Sequence, residues 1–435
     1  MKIIINPEKK LWPDILKRPL FDVSGLFESV QSVLNEIERN GDDALRKFTL
    51  KFDGFMPDDL AVSDEEFEAA GNMVDPSLKE AIVLAARNIE VFHAARKCSL
   101  NKIETMPGVS CWQKSVAIEN AGLYIPGGTA PLFSTVLMLA IPARIAGCKE
   151  IIMCTPPGKD GTVNPAVLYA ARYAGVKKVF RLGGVQAIGA MAFGTESVPK
   201  ADKIFGPGNQ YVTAAKQLVS LRHTAVDMPA GPSEVMVVAD KSADPSFVAS
   251  DLLSQAEHGP DSQVVLVADS AGLVDKVIKE IDLQLVKLPR KNFAERSLEN
   301  SVIIVLDNEK DTTDIINAYA PEHLILSTEN CHEMAEKVVN AGSVFLGNFT
   351  PESAGDYASG TNHTLPTNGW ARSYSGVNLD SFMKKITFQE INGAGLINIG
   401  PAIELMAEAE QLTGHKNAVT LRLNALNKQK SNTNK

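Results

Sequence analysis

Apolar residues recur along this chain in two patterns, which alternate from about residue 148 onward. Short β-rich runs at 151–154 and 178–182 alternate with segments of helical periodicity at 165–174 and 185–193. Short apolar runs bounded by turn residues are typical of buried strands, and a 3.6-residue period is typical of helices. The alternation predicts parallel sheets whose faces are covered by helices.

The alternation restarts after a proline- and glycine-rich loop at 227–233. Beyond this loop, helical patterns separate the further predicted strands, which are 235–239, 264–268, 302–306, 324–327 and 344–346. Two α/β units of similar plan therefore follow each other. Residues 228–233 are the predicted crossing between two lobes.

The segments that flank these units are helical by pattern. Residues 22–100 are mainly helical, and we expect them to pack on the second lobe as a helical layer. The clearest helical patterns in this segment are 33–48 and 76–96. From about residue 378 the helical pattern returns, at 401–413 and 417–426. Because this last segment follows the final strand, it is a candidate arm for a partner subunit.

The length of the chain also indicates several domains. A chain of 435 residues exceeds the size at which single cores stop growing. We predict an N-terminal arm of residues 1–21, a first α/β lobe of 124–234, a second α/β lobe formed by 22–123 together with 235–377, and a C-terminal arm of 378–435.

Composition and charge narrow the partners and the location. The net charge of -9 gives no general attraction to nucleic acid or to anionic lipid, so we expect neither as a partner. The strongest internal apolar run, 135–142, is much shorter than a membrane span, and the N-terminal apolar run is too short for a signal peptide. The 5 cysteines are odd in number and show no C-x-x-C spacing, which favours reduced thiols and a cytoplasmic location.

A glutamine and a histidine come near the end of a predicted helix. Gln255 and His258 are three residues apart, so we expect them on one face of the last turn, before Gly259 and Pro260 end the helix. This spacing brings an amide oxygen and an imidazole together. In isolation, such a pair is more often hydrogen-bonded to backbone than bound to a ligand.

A carboxylate adjoins an imidazole at the start of a predicted strand. Glu322 and His323 follow Pro321, and one site uses both side chains only where the chain bends, as a proline allows. The functional interpretation is a histidine general base beside a glutamate that polarises water. The alternative is a surface glutamate beside a packed histidine, which is the commoner arrangement in isolation.

Two further segments hold polar residues at breaks in the pattern. The loop 350–363 is dense in glycine, serine and acid and follows a strand, where α/β proteins place their sites, although a solvated connector has the same composition. Gly414 interrupts a predicted helix beside His415. Four of the 7 histidines lie in such breaks: His258, His323, His363 and His415.

Four of these side chains form a set of nitrogen and oxygen ligands without a thiolate. They are Gln255, His258, Asp356 and His415. Such a set suits a borderline divalent metal such as zinc that keeps open positions for a substrate, whereas structural zinc sites more often use cysteine.

Together with glycine-rich motifs elsewhere, these segments carry a family resemblance. The motifs at 122–128, 183–188, 205–209 and 230–234, and the four segments above, occur in the order and spacing of the histidinol dehydrogenase family over about residues 22–425. The resemblance implies a zinc-dependent, NAD-linked oxidoreductase of histidine biosynthesis. Its reaction converts L-histidinol through the bound aldehyde to L-histidine, with two NAD and water.

The resemblance also implies roles for individual residues. The implied zinc ligands are Gln255, His258, Asp356 and His415, with His415 contributed by the neighbouring subunit of a homodimer. The implied catalytic pair is Glu322 and His323. Besides His323 and the zinc ligands, the implied positions near the substrate are Ser233, Glu352, His363 and Glu410. The implied NAD contacts are Tyr124, Gln186 and Asn209.

The resemblance assigns functions to the predicted parts of the chain as well. Residues 124–234 become the NAD-binding lobe, the other α/β lobe becomes catalytic and metal-binding, and 378–435 becomes a dimerisation arm. The sequence has no full G-x-G-x-x-G, of which 206–208 is only a fragment, so we expect incomplete Rossmann-like lobes. Gly189 departs from the alanine that we expect in the family, at a cost of about 1 kcal/mol to its helix.

Three alternatives to this mechanism remain at the level of sequence. A cysteine nucleophile at Cys111, Cys148 or Cys154 could carry the aldehyde oxidation, but these thiols lie in apolar runs without an adjacent base, which favours inert packing. A zinc hydrolase could use the same ligands with Glu322. A non-catalytic two-lobed binding protein could have the same α/β plan. The last two predict no NADH from histidinol and NAD.

Overall fold

A computed structural model describes residues 1–19, 23–54, 59–97, 101–127, 131–229 and 231–433, with side chains up to residue 429. One of the 5 cysteines, Cys98, lies outside the described residues, as do Gly128 of the motif 122–128 and Ala230 of the motif 230–234. Contacts divide the chain into a first unit, residues 1–96 with 118–382, and a second unit, residues 97–117 with 383–435.

Strands and helices are numbered in chain order. The strands are β1 (Lys2–Ile5), β2 (Ile103–Met106), β3 (Val109–Ala117), β4 (Asn120–Tyr124), β5 (Glu150–Thr155), β6 (Lys178–Arg181), β7 (Lys203–Phe205), β8 (Ala225–Val226), β9 (Glu234–Ala239), β10 (Gln263–Ala268), β11 (Val302–Val305), β12 (His323–Ser327), β13 (Ser343–Leu346) and β14 (Met383–Ile391). The α-helices are α1 (Trp12–Ile15), α2 (Phe27–Asp53), α3 (Asp64–Met73), α4 (Pro76–Ala94), α5 (Phe133–Ala146), α6 (Pro165–Ala174), α7 (Gly184–Phe193), α8 (Gln210–Ser220), α9 (Pro245–Ala256), α10 (Ala271–Leu285), α11 (Lys291–Glu299), α12 (Glu309–Tyr319), α13 (Cys331–Ala335), α14 (Gly393–Ala409) and α15 (Thr413–Thr433). Within the described residues, no helix has the length and apolar character needed to cross a membrane.

Two parallel sheets organise the first unit. The larger sheet has the strand order β1-β11-β10-β9-β12-β13, and the smaller sheet has the order β6-β5-β4-β7-β8. All strand pairs in both sheets are parallel. This confirms the predicted α/β class with two parallel-sheet lobes. Residues 2–5, which we assigned to an N-terminal arm, form the edge strand of the larger sheet beside β11.

Residues of the central strand β9 alternate between two hydrophobic cores. Val235 and Val237 face the core that contains residues of α9 and α10. Met236 and Val238 face the opposite core, which contains Trp12 and residues of α12. Because both faces of a parallel sheet are covered, its strands are nearly continuous apolar runs, which is the pattern that predicted them.

The N-terminal helices cover the smaller sheet's helices. α2 packs on α7 and α8, α3 packs on α6, and α4 packs on α5. Our expectation that this helical layer packs on the second lobe was therefore wrong. Amphipathic periodicity identifies the buried face of a helix, but it does not identify the surface against which that face packs. The buried face of α2, which includes Leu34 and Ile37, joins the core of the smaller sheet.

Gly189 lies where α7 crosses α2. A Cβ atom added to Gly189 would lie 2.9 Å from Cδ1 of Ile37 and 3.2 Å from Cδ2 of Leu34. Both distances are shorter than ordinary packing contacts, so the glycine allows the two helices to approach closely. The departure from alanine therefore coincides with tight helix packing in this chain.

The second unit is a three-stranded antiparallel sheet followed by two helices. β3 pairs with β14 on one side and with β2 on the other, and α14 packs on α15. Our prediction of a helical segment from residue 378 was wrong for 383–391, which form β14. This strand pairs along its whole length with β3, and exposed side chains dominate both of its faces. α14 also begins earlier than predicted, at Gly393.

Candidate active site

The predicted catalytic pair lies at the amino end of a central strand of the larger sheet. His323 is the first residue of β12 and pairs with Val235 of β9. Ala320, in the left-handed conformation with φ of 54°, and Pro321 turn the chain between α12 and β12. Glu322 and His323 are 5% and 4% exposed, which excludes the surface-glutamate alternative.

The bend brings both side chains of the pair into one place. Nδ1 of His323 lies 3.6 Å from Oε2 of Glu322. The backbone of Glu234, at the start of β9, holds both: its N–H donates to Oε2 of Glu322 at 2.9 Å, and its carbonyl oxygen lies 3.3 Å from Nδ1 of His323. A carbonyl only accepts, so this contact requires a proton on Nδ1 and leaves Nε2 as the acceptor of a neutral imidazole.

Two carboxylates from the loop 350–363 complete the surroundings of His323. Glu352 Oε1 lies 3.9 Å from Nδ1, and Asp356 Oδ1 lies 3.6 Å from Nε2. The loop follows β13, yet these side chains reach the amino ends of β9 and β12. Our expectation of a site at the carboxyl ends of this sheet's strands was therefore wrong.

The charges of this cluster are strongly coupled. Burial lowers the pKa of His323, but the carboxylates of Glu352 and Glu322 outweigh it and raise that pKa well above its usual value. Burial raises the pKa of Glu352 well above the usual range of a glutamate, although the nearby imidazole opposes this. Burial raises the pKa of Asp356, but the nearby imidazole of His323 outweighs it, so that pKa is lowered.

Three side chains around this cluster are close enough to hold one metal ion. Ligand atoms of His258, Glu352 and Asp356 all lie within 4.8 Å of one another. Oε2 of Glu352 and Nε2 of His323 are buried without a hydrogen-bond partner, so the cluster has coordinating capacity that the protein itself does not use. The nitrogen and oxygen donors fit a divalent cation such as zinc.

Gln255 borders the same cluster. It lies on α9 and is fully buried. In the amide orientation that satisfies both of its polar atoms, it donates to Oε1 of Glu352 and accepts from the N–H of Glu234 at 2.8 Å. The helix ends at Ala256, so His258 lies in the turn beyond it. Our expectation that His258 shares the last helical face with Gln255 was therefore wrong. His258 is exposed, whereas Glu352 is buried.

The remaining predicted substrate positions fall into two groups. His363 is fixed by its ring nitrogens, with Nδ1 at 2.8 Å from the backbone oxygen of Asp356 and Nε2 at 3.0 Å from Oγ1 of Thr135. Ser233 immediately precedes β9 and is partly buried. Glu410 and His415 belong to the second unit, where both are exposed, at the end of α14 and the start of α15.

The predicted NAD contacts gather at the carboxyl edge of the smaller sheet. Tyr124 ends β4, and its hydroxyl accepts from the N–H of Gly184, which follows β6, at 3.1 Å. Burial raises the pKa of Tyr124 to about 12. Gln186 is buried in α7 and donates to Asp53 at 2.9 Å, while its Oε1 lacks a hydrogen-bond partner. Asn209 follows β7 and caps α8.

A tight backbone crossing shapes this edge. Gly206, with φ of 122°, passes so close to β4 that an added Cβ would lie 2.1 Å from the carbonyl oxygen of Tyr124. Gly206 and Gly208 line a cavity of about 120 Å³. The carboxyl edge between β4 and β7, where the strand order reverses, is the usual place for a ligand in an open α/β sheet.

Two of the three cysteines considered as nucleophiles belong to the lobe of the smaller sheet, whereas the catalytic pair belongs to the larger sheet. Cys154 is a buried residue of β5, and Cys148 precedes that strand, so both belong to the smaller sheet. Burial raises the pKa of Cys148 to about 11 and raises that of Cys154 further. Cys111 lies on β3 in the second unit. A nucleophilic cysteine needs an accessible thiolate, and neither the half-buried Cys148 nor the buried Cys154 offers one.

Sequence analysis missed two charged residues that adjoin residues of the site, Asp251 and Arg18. Burial raises the pKa of Asp251, one turn before Gln255 on α9, to about 7, which is partly opposed by the backbone N–H of Glu352. Arg18 contacts the side chain of Glu234. Neither residue lies in a motif, and their partners are distant in sequence, so periodicity and spacing gave no signal for them.

Comparisons with known proteins agree on one family. Residues 16–423 match the family model described as histidinol dehydrogenase. The chain is 61% identical over 426 residues to histidinol dehydrogenase of Bacteroides thetaiotaomicron, covering 98% of this chain and 100% of that protein. It is 60% identical over 428 residues to that of Bacteroides fragilis, covering 98% and 100%. The crystal structure of histidinol dehydrogenase from Elizabethkingia anophelis is similar with a TM-score of 0.97 at 55% identity, covering 98% of this chain and 99% of that chain.

Proposed function

The chain belongs to the histidinol dehydrogenase family, and from that membership we propose that it oxidises L-histidinol to L-histidine in histidine biosynthesis. An alcohol becomes a carboxylate by losing four electrons, and each NAD accepts two as hydride, so the reaction consumes two NAD and one water. The intermediate is L-histidinaldehyde, which stays bound between the two oxidations.

One observation carries this proposal. A buried imidazole and a buried glutamate share one backbone anchor, Glu234, beside a cluster of side chains that suits a divalent cation. The first group can remove a hydroxyl proton, the second can activate water, and the cluster can fix a substrate next to them. Alcohol and aldehyde oxidation need all three.

For the metal, we propose Gln255, His258 and Asp356 as ligands of zinc, together with His415 of the neighbouring subunit. Bound zinc would orient the substrate's imidazole and amino nitrogens, and bound NAD would supply the hydride acceptor. Glu352, whose carboxylate lies within the same cluster, is proposed to hold the substrate's amino group. His363 and Ser233 are proposed to line the same substrate site, along with Glu410.

We propose that His323 takes the hydroxyl proton of histidinol. Its Nε2 is buried, carries no hydrogen bond and is the acceptor nitrogen of the neutral ring when Nδ1 donates to the Glu234 carbonyl. The surrounding carboxylates raise the pKa of His323, and a bound divalent cation would offset their charge and favour the neutral ring. A proton received at Nε2 is stabilised by Asp356 at 3.6 Å, in the way that a carboxylate supports an imidazolium in acyl-transfer enzymes. Once that proton has been released to solvent, the same nitrogen acts again in the second oxidation.

We propose that Glu322 activates water for attack on the aldehyde. Its Oε2 is engaged by the Glu234 N–H, which fixes the carboxylate and leaves lone pairs for a water molecule. Attack gives the gem-diol, from which His323 removes a proton as the second hydride leaves. The high pKa values of Cys148 and Cys154 argue against a thiohemiacetal route.

For the cofactor, we propose that residues 124–234 form the NAD-binding lobe and that Tyr124, Gln186 and Asn209 contact NAD. The unpartnered Oε1 of Gln186 and the cavity beside Gly206 support this assignment. The lobe of the larger sheet, built on residues 235–377, is the proposed catalytic and metal-binding lobe.

We also propose a homodimer held by the C-terminal arm, 378–435. Large apolar side chains of the second unit are exposed, which favours a covering partner. They include Ile386, Ile391, Leu405, Met406 and Leu421. The biosynthetic reaction and the absence of disulfide spacing support a cytoplasmic location for the enzyme.

The test is the formation of NADH when the protein is mixed with L-histidinol and NAD. We expect NADH absorbance to rise, to be abolished by prior treatment with a chelator, and to return when zinc is added. His323→Asn should lose this activity, whereas His332→Asn, at an exposed histidine of α13, should keep it. A hydrolase or a non-catalytic binding protein would give no NADH in any of these samples.

A further inference from the structure

An arginine from the N-terminal segment reaches behind the catalytic pair. Arg18 follows α1, and its guanidinium forms a two-point ion pair with Glu234: Nε donates to Oε2, and Nη2 donates to Oε1 at 2.7 Å. The side chains of Arg18 and Glu234 are 15% and 3% exposed. A two-point arginine–carboxylate pair with this little solvent fixes the orientation of both partners.

The same guanidinium also holds the turn that leads into the catalytic pair. Nη2 donates to the carbonyl oxygen of Tyr319 at 2.8 Å and lies 3.4 Å from that of Ala320. Ala320 adopts the left-handed conformation, which is unfavourable for a residue with a Cβ and therefore needs support from its surroundings. Arg18 supplies such support two residues before Glu322.

Tyr319 completes the environment of the guanidinium. Its ring lies under the guanidinium, with 3.9 Å between the guanidinium carbon and the ring centroid. Its hydroxyl donates to Oε1 of Gln263 at 2.8 Å, and the amide of Gln263 donates back to the carbonyl oxygen of Lys17 at 3.1 Å. The Tyr319 ring therefore holds the face of the guanidinium, and hydrogen bonds to Glu234 and Tyr319 hold its edge. The bond from Gln263 also anchors the backbone of Lys17, next to Arg18.

Arg18 thus joins the two strand ends that carry the active site. One end is Glu234 at the start of β9, whose backbone contacts both Glu322 and His323. The other is the turn 319–321 at the start of β12. Arg18 also supplies the positive charge that balances the buried carboxylate of Glu234, the residue whose backbone N–H anchors Glu322.

We propose that Arg18 is a positioning residue for the Glu322–His323 pair, acting through the side chain of Glu234 and the carbonyl oxygens of Tyr319 and Ala320. The inference rests on the proposed catalytic roles of Glu322 and His323. Arg18 touches neither reacting atoms nor metal ligands. Its effect is to fix the separation of β9 and β12 at their amino ends and to keep the charge beside Glu322 balanced.

The test compares Arg18→Met with the wild-type zinc-loaded enzyme in histidinol oxidation. Methionine keeps most of the apolar stem but removes the charge and all the donors. We expect kcat to fall by about 10- to 100-fold, because a displacement of about 1 Å in catalytic groups has an effect of that size, while KM for histidinol changes by less than about threefold. Arg18→Lys, which keeps the charge but not the fork, should lie between the two.

A second substitution separates positioning from general destabilisation. If the unbalanced carboxylate of Glu234 disturbs the site, then Glu234→Gln in the Arg18→Met background should restore kcat by about tenfold, because the amide keeps the shape without the charge. A matched control is Arg172→Met, since Arg172 also makes two carboxylate contacts, one to Asp64 and one to Glu68, but is half exposed on the surface. This control should keep the wild-type kcat.

The outcomes distinguish this inference from the proposed function. If the wild-type enzyme fails to oxidise histidinol, the proposed function is overturned and this inference with it. If the wild type is active and Arg18→Met keeps its kcat, only the role of Arg18 is overturned. A fall in kcat that Glu234→Gln does not relieve, in protein with wild-type secondary structure, also counts against the inference. If Arg18→Met does not fold, Arg18→Lys decides by the same separation of kcat from KM.

Discussion

The backbone N–H of Glu234, the first residue of β9, donates to the carboxylate of Glu322 across 2.9 Å. Strand β9 therefore orients the glutamate that immediately precedes the neighbouring strand β12. This contact places a carboxylate at the amino end of a parallel sheet, next to the first residue of β12. In the smaller sheet, Tyr124, Gly206 and Asn209 lie at the carboxyl edge instead. The proposed sites of the two lobes therefore lie at opposite edges of their sheets.

Replacement of Glu322 by glutamine should separate the two oxidations. Glutamine keeps an oxygen that accepts from the Glu234 N–H, but it cannot take a proton from water. We expect oxidation of histidinaldehyde to slow by about 100-fold, the usual scale for loss of a general base, and oxidation of histidinol to slow much less. Single-turnover assays that start from each substrate measure the two rates. Equal slowing of both would count against a water-activating role.

The origin of His415 can be tested by complementation between inactive variants. His258→Ala and His415→Ala should each be inactive alone. If His415 serves the neighbouring subunit, a mixed dimer has one site with both lesions and one site with neither. Random pairing then gives mixed dimers in about half of the population and an activity of about a quarter of the wild-type value. The measurement is the specific activity of a co-expressed, purified mixture.

The control for this experiment is a mixture of two variants whose substitutions both affect ligands that a subunit contributes to its own site, such as His258→Ala with Asp356→Asn. Every subunit then has one damaged site, so no activity should return. If His415 instead serves its own subunit, the first mixture stays as inactive as this control, and the proposed exchange between subunits fails.

Sequence patterns predicted most strands and helices of the two lobes because those elements are buried on a face or throughout. Helix α6 spans Pro165–Ala174, as its period predicts, and β9 and β10 begin within one residue of the predicted positions. Strand β14 escaped prediction because its partner β3 lies more than 200 residues earlier and its side chains are mostly exposed. Without a buried face, a strand leaves a weak pattern.

The sequence predicted which residues belong to the candidate site better than it predicted how those residues are arranged. Polar motifs that interrupt helices or follow strands predicted its members, which include Gln255, His258, Glu352 and Asp356. Glu352 and Asp356 reach the amino ends of β9 and β12 because of the path of the loop 350–363. Hydrophobic periodicity gives no information about that path. Arg18 illustrates the same limit, because its ion pair joins residues separated by 216 positions.

The cysteines provide a negative test of the mechanism. Replacement of Cys111, Cys148 and Cys154 together by alanine should leave oxidation of histidinaldehyde within about threefold of the wild-type rate. The pKa values of Cys148 and Cys154 are too high for thiolates to form near neutral pH, and Cys111 lies on β3 of the second unit. The fully buried Cys154 should account for a loss of stability on the order of 1 kcal/mol. The assay is aldehyde-dependent NADH formation, and its abolition in folded protein would overturn the assignment of Glu322 and His323.

His93 should make the stability of the enzyme depend on pH. It is fully buried on α4, and neither ring nitrogen has a hydrogen-bond partner. Burial, with a smaller contribution from Arg96, lowers its pKa from 6.5 to about 4. The folded state therefore favours the neutral ring, and the unfolded state binds the proton first as the pH falls. This stabilisation is present in full above pH 6.5 and is lost between about pH 6.5 and pH 4.

Replacement of His93 by leucine should remove this dependence, because leucine fills the buried site without titrating. We expect the free energy of unfolding of the wild type to fall, between those two pH values, by on the order of 2 to 3 kcal/mol more than that of His93→Leu. Urea unfolding followed by circular dichroism at several pH values measures the difference. His332→Leu, at an exposed histidine, is the matched control and should keep the wild-type slope. Parallel curves for the wild type and His93→Leu would mean that the buried ring does not resist protonation.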